Sequence, residues 1–215
     1  MAAIRPSHET FSNAEIIESN LRYLPLARKY HRVYFPLMPR VFEIMDFSEF
    51  DIVISSSHSV AKGIITKPET LHVSYCHSPM RYVWDGSHTY QSGFKNFNYL
   101  KFLYKPILHR IRKWDRLAAE RPDKYLTNSR YISRRIKKYY KKESTVIYPP
   151  VSLENFRVSY EHSDYYLAVG RLIPYKKFDL LIAVFNINSL PLKIIGNGPE
   201  LTKLKKSAKK NIEFI

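Results

Sequence analysis

Residues 165–215 place the tightest constraint on what this chain can become. The apolar run YYLAVG (165–170) stops at a glycine, and KFDLLIAVFNIN (177–188) then carries apolar residues at helical spacing. LKIIGNG (192–198) is a second apolar run. Pro199 opens the helical segment PELTKLKKSAKK at the position where proline is favoured, and NIEFI (211–215) is a third run. A strand–helix–strand–helix–strand order favours a parallel sheet, because each helix carries the chain back to the same end. The unit predicted is half of a doubly wound nucleotide-binding domain. Half of such a sheet leaves an apolar edge, so a longer domain is expected.

The preceding 150 residues alternate in the same way. FDIVISSS (50–57) reads as a strand that ends in a serine-rich turn, and HVSYC (72–76) as a second, bounded by Pro68 and Pro79. A long helical segment broken at Pro106 is expected over 96–120. A strand KYLTNS (124–129), a basic helix RYISRRIKKYYKK (130–142) and a strand STVIYPP (144–150) follow. Pro149–Pro150 continues neither kind of element and marks a linker. The expectation is therefore an α/β protein with Rossmann-like domains at 1–150 and 151–215. The front of the first begins with irregular sequence, without a strand and glycine-rich turn.

Composition narrows the class. Cys76 is the only cysteine, which excludes a disulfide framework and a zinc quartet. The eight histidines show no metal-ligand spacing. The first residues, MAAIRPSHETFSN, have no apolar signal-peptide core, and no apolar run reaches the ~18–20 residues that span a bilayer. A cytoplasmic protein, soluble or peripheral on the inner face of the membrane, is expected. The net charge of +16 is uneven: residues 1–150 hold 25 Lys/Arg against 13 Asp/Glu, and 151–215 hold 10 against 6. The helix 130–142 alone has seven cations and no acid. Its basic residues, among them Arg134, Arg135, Lys137 and Lys138, could meet anionic lipid or nucleic acid, with Tyr131, Tyr139 and Tyr140 at the headgroup level, or could merely be a solvated face.

Ligands of parallel sheets bind at the carboxyl ends of the strands, and three candidate sites lie there. Arg171 and Lys176 sit in the turn between YYLAVG and its helix, where the helix amino end adds positive potential; together they suit a diphosphate. Gly196 and Gly198 fall in the next strand end, where glycine lets a ligand approach the backbone. In SYCHSPMRYVWD (74–85) adjacent strand residues point to opposite faces, so Cys76 and His77 do not form a nucleophile–base pair. Cys76 reads as a core residue, and His77 is left to face a ligand.

VGRLIPYKKFDLL, IIGNGPE, YCHSPMRYVWD, DIVISSSHSVAKG, LTNSRYISRRI and VIYPPV together resemble glycosyltransferase family 4, and within it bacterial mannosyltransferases of O-antigen and capsule assembly. The resemblance implies a GT-B fold, two Rossmann-like domains with an acceptor-side amino-terminal domain and a donor-binding carboxyl-terminal one. It implies that Arg171 and Lys176 hold the donor diphosphate, and that Gly170, Gly196 and Gly198 form the nucleotide-binding turns. It also implies that His77 faces the donor sugar as the catalytic residue. No metal and no cofactor are implied. The family's amino-terminal glycine-rich loop has no match, and its pair of glutamates eight positions apart would lie beyond Ile215. The chain thus resembles the middle of a family member, incomplete at both ends. The implied activity is retaining transfer of a hexose, with GDP-mannose as first choice, to a lipid-linked glycan at an anionic membrane surface. The alternatives are an inactive fragment of such an enzyme and a basic nucleic-acid-binding protein; the latter leaves both strand-end sites of 165–215 unexplained.

Overall fold

The computed structural model describes residues 14–25, 31–85, 101–158 and 160–215. In chain order the regular elements are α1 (Met38–Glu43), β1 (Ile52–Ser57), β2 (Leu71–Cys76), α2 (Lys101–Ala118), β3 (Lys124–Thr127), α3 (Arg130–Tyr140) and β4 (Thr145–Val146). Then come β5 (Tyr166–Val169), α4 (Phe178–Asn188), β6 (Leu192–Ile195), α5 (Leu201–Ser207) and β7 (Ile212–Phe214). The chain divides into two units, Met1–Val151 and Ser152–Ile215. Each is built on one parallel sheet, ordered β1-β2-β3-β4 in the first and β5-β6-β7 in the second. This is the α/β architecture of Rossmann-like layers expected from the alternation.

In the first unit the buried sheet face is unusually polar. Ser55, His72, Ser74 and Thr127 are almost wholly enclosed beside Val53, Cys76 and Tyr125. Such groups stay buried only when hydrogen-bonded. Ser55 Oγ meets His72 Nε2 at 2.9 Å, and Thr127 Oγ1 donates to the Cys76 carbonyl at 3.1 Å. His72 Nδ1 has no partner, and burial lowers the His72 pKa to about 4, so the ring is neutral near pH 7.

Helix α3 explains its own orientation. Ser129 caps it, its hydroxyl accepting from the Ile132 amide at 3.3 Å, and Lys141 ends it in the left-handed region at φ 56°. Ile132, Arg135, Ile136, Tyr139 and Tyr140 share one face at helical spacing, and that face turns inward. This corrects the membrane-facing expectation for Arg135, Tyr139 and Tyr140. Tyr140 is 1% exposed, Tyr139 stacks on Trp84, and Arg135 is buried against Asp85. Arg130, Tyr131, Arg134, Lys137 and Lys138 remain on the outer face.

Three further expectations change. Helix α2 runs unbroken through Pro106; the face formed by Leu108, Ile111, Asp115 and Ala118 is buried along its length and offsets the missing hydrogen bond. The upstream part of that predicted helix, 96–100, lies outside the described residues. Strand 144–150 contracts to Thr145–Val146, which stand in register with Leu126 and Thr127 of β3, and the Ile147 amide adds one more bond to the Thr127 carbonyl. Pro199 does not open α5: it sits in a turn, and the helix begins at Leu201 after the Glu200 cap and stops at Ser207.

The second unit has an ordinary apolar core. Leu172, Phe178, Ile182, Phe185, Leu192, Ile194, Leu204 and Ile212 pack the helices onto one sheet face. Fully burying such a side chain contributes about 1.5–3 kcal/mol. Leu167 and Val169, on the opposite face, are exposed.

Candidate functional site

The carboxyl edge of the first sheet holds a cavity of about 420 Å³. Its lining includes His77 and Ser78 after β2, Arg81 in the following loop, and Asn128, Ser129 and Tyr131 at the β3–α3 junction. Parallel register places these strand ends side by side, with Ser56 opposite Tyr75 and Cys76 opposite Thr127. Cys76 is buried and its thiol is pushed up to about 12 by burial, so no thiolate is available. His77, one residue on, is exposed. Its Nε2 shares a 3.0 Å hydrogen bond with Ser56 Oγ, its ring meets Tyr75 edge-on, and its amide donates to the Ser57 carbonyl.

The loop behind His77 is firmly fixed. Met80 and Val83 are fully buried, Arg112 Nε donates to the Val83 carbonyl at 2.6 Å, and Tyr82 hydrogen-bonds Ser59 at 2.7 Å. Trp84 Nε1 donates to Asp115 Oδ2 at 2.7 Å. Asp115 also pairs with Lys62 and accepts from the Tyr140 hydroxyl, so both carboxylate oxygens are occupied although the group is 0% exposed. Asp85 is held by both terminal nitrogens of Arg135, and those hydrogen bonds keep its carboxyl below the usual range.

The second unit presents its candidates at the ends of β5 and β6. Arg171 follows Gly170 directly; Lys176 lies in a 3-10 turn, Pro174–Lys176, just before α4. Both side chains are exposed. Arg171 makes no ion pair or hydrogen bond through its side chain with any described residue, and the Lys176 ammonium meets only the Tyr175 ring at 5.9 Å. Lys177 adopts φ 57° and its carbonyl accepts from Leu180 and Leu181, which starts α4. Two uncommitted cations thus precede a helix amino end.

The glycines have a role that their sequence context did not reveal. A Cβ on Gly196, whose φ is +154°, would overlap the carbonyl of Gly170, and one on Gly198 would overlap that of Leu172. The two strand-end loops therefore lie backbone against backbone. They are joined by hydrogen bonds from the Gly170 amide to the Ile195 carbonyl, from Leu172 to Asn197 and from Glu200 to Leu172. Gly170 itself has room for a methyl group beside Phe178.

Sequence reading missed Ser56 as the partner of His77, Arg81 in the same cavity, and the Lys62–Asp115 and Arg135–Asp85 pairs. Strand-end position was the available signal for Ser56. The ion pairs join residues 50 or more apart and have no local signature.

A family model of Glycosyltransferase Family 4 matches residues 4–155. The chain belongs to that family. A comparison with curated proteins gives no significant match. The matched range contains the His77 cavity, and family membership supplies the reaction class: glycosyl transfer, with a nucleotide-sugar donor and a glycan acceptor. Arg171, Lys176 and the glycine turns lie outside the matched range.

Proposed function

We propose that this Family 4 glycosyltransferase is a retaining enzyme that moves a hexose, mannose from GDP-mannose as first choice, onto a lipid-linked glycan in surface-polysaccharide assembly. The observation that carries the reading is the pair of uncommitted cations, Arg171 and Lys176, ahead of α4 at the carboxyl end of β5. When the sugar–phosphate bond breaks, its electron pair passes to the phosphate oxygen. Fixed cations aimed at that oxygen are worth more in the transition state than in the ground state. In this reading they stabilise the departing nucleoside diphosphate without a divalent metal. Retention brings the acceptor hydroxyl to the face from which the phosphate leaves, so the developing phosphate oxygen is the nearest acceptor for its proton.

His77 faces the sugar and hydrogen-bonds it. Gly170, Gly196 and Gly198 shape the turns that receive the nucleotide. The outer face of α3, with Arg130, Arg134, Lys137 and Lys138 exposed around Tyr131, supports docking on anionic lipid at the inner membrane face. No helix among the described residues is long and apolar enough to cross a membrane. The test is a transfer assay with GDP-mannose and UDP-hexoses in parallel, on a lipid-linked acceptor, with the anomeric configuration of the product read by NMR. Transfer from GDP-mannose with retention is expected. Inversion, preference for a UDP-hexose, or tight duplex-DNA binding with no transfer would each overturn the reading.

A further inference from the structure

The cavity around His77 combines three features that its lining residues do not explain as mere packing. First, among the described residues eight line it and none of these carries a carboxylate. Second, Arg81 reaches this cavity and makes no hydrogen bond or ion pair through its side chain with any described residue. The acidic residue of its own loop, Asp85, is gripped through both oxygens by Arg135; the Arg81 charge adds to the field that keeps that carboxyl low without forming an ion pair with it. Third, Arg81 is displayed by a fixed loop. The neighbouring Met80 and Val83 are fully buried, Tyr82 is tied to Ser59, and Trp84 is tied to the buried Asp115. Arg81 is exposed, but an arginine on an anchored loop, lining a cavity with no acidic residue among its described lining, is held ready for an anion.

The opposite wall agrees in sign. It is the capped start of α3, whose first-turn amides have no intrahelical acceptors and whose axis brings positive potential to the same space. Asn128 and Ser129 add side-chain groups, and the Ser129 hydroxyl is already bonded to Asn128 Oδ1 at 3.1 Å. A carboxylate would use the guanidinium alone. A phosphate, with oxygens on several sides, can meet Arg81 and the α3 amino end together.

We propose that the His77 cavity is a phosphate-binding subsite in which Arg81 is the principal anchor, separate in sequence from the Arg171–Lys176 turn. The phosphate belongs either to the nucleotide of the donor or to the lipid-linked end of the acceptor. The subsite rests on the proposed function only for its role in catalysis; phosphate binding itself stands without it. It is tested with inorganic pyrophosphate, added to the whole chain while the His77 ring resonances are followed by NMR at fixed pH and salt.

The ring signals should move saturably. Affinity should fall about tenfold in Arg81→Gln and stay within about threefold in Arg81→Lys, while Arg171→Gln leaves the His77 response unchanged. GDP and a short prenyl diphosphate, titrated in the same way in the Arg171→Gln background, then separate the sources: whichever moves the His77 signals supplies the phosphate. Unmoved His77 signals, or equal pyrophosphate affinity in the wild type and Arg81→Gln, would overturn the subsite. Loss of GDP affinity in Arg171→Gln with the His77 response intact would leave the donor reading standing and independent of this one.

Discussion

In residues 1–151 the loop that carries candidate site groups is fixed by charge: Asp115 gathers Lys62, Trp84 and Tyr140 in the interior, and Arg135 clamps Asp85 beside the cavity. Among the described residues of 152–215 no buried charge takes part. There the strand-end loops are fixed by backbone fitting against backbone, which only glycine allows at 196 and 198, over a core of aliphatic and aromatic side chains. The difference shows two routes to a preorganised site. A polar core gives directional anchoring but depends on every partner being present. A backbone fit tolerates few side chains yet leaves nearby cations such as Arg171 and Lys176 uncommitted.

The comparison breaks most visibly at Asp115. Asp115→Ala strands the buried Lys62 ammonium and the Trp84 indole N–H, and should cost the first unit about 3–5 kcal/mol in urea unfolding. Protease resistance of 152–215 should persist. A loss below about 1 kcal/mol would mean that the buried pair does not anchor the loop. Next, Gly196→Ala should destabilise the second unit by about 3 kcal/mol, from overlap with Gly170 added to strain at φ +154°. Wild-type stability in that variant would show that the loops are not locked together.

His72 sharpens the contrast through pH. Its folded pKa of about 4 lies below the ordinary 6.5, so the unfolded chain binds the extra proton first. Stability of the first unit should be unaffected by this group above pH 6.5. It should fall by roughly 2–3 kcal/mol as pH drops from 6.5 towards 4. Melting curves at pH 7 and 4.5 should show a smaller difference in His72→Gln than in the wild type; an identical difference would remove His72 from the account.

Smaller still is the surface charge. Arg134→Gln and Lys138→Gln, both on the outer face of α3, should each weaken binding to anionic vesicles by about 1 kcal/mol at low salt. Arg135→Gln should instead lower stability, because it frees Asp85. Equal vesicle binding in all variants would make the outer face a solvated surface and nothing more.

These outcomes also bear on what the sequence could disclose. Strand ends were legible, because short apolar runs closing on glycine, serine or proline have few other readings, and position alone made His77, Arg171 and Lys176 candidates. The face of α3 was legible in principle from the spacing of Ile132, Ile136 and Tyr140, but its density of cations suggested exposure, and only the distant Asp85 explains why Arg135 turns inward. Proline misled twice: Pro106 is carried through α2 by tertiary packing, and Pro199 serves a turn. Gly196 and Gly198 were read as letting a ligand approach the backbone; the structure adds a close approach by the neighbouring loop, which the sequence did not reveal. For Arg135, Gly196 and Gly198 the deciding contact lies tens of residues away.

The most direct test of the central claim, that the turn after β5 holds a nucleoside diphosphate, is calorimetric titration of GDP into the wild type, Arg171→Ala and Lys176→Ala. Each variant removes a charge-assisted contact of roughly 1.5–3 kcal/mol, so about ten- to hundredfold weaker binding is predicted for each. GDP binding of unchanged affinity in both variants would contradict the claim.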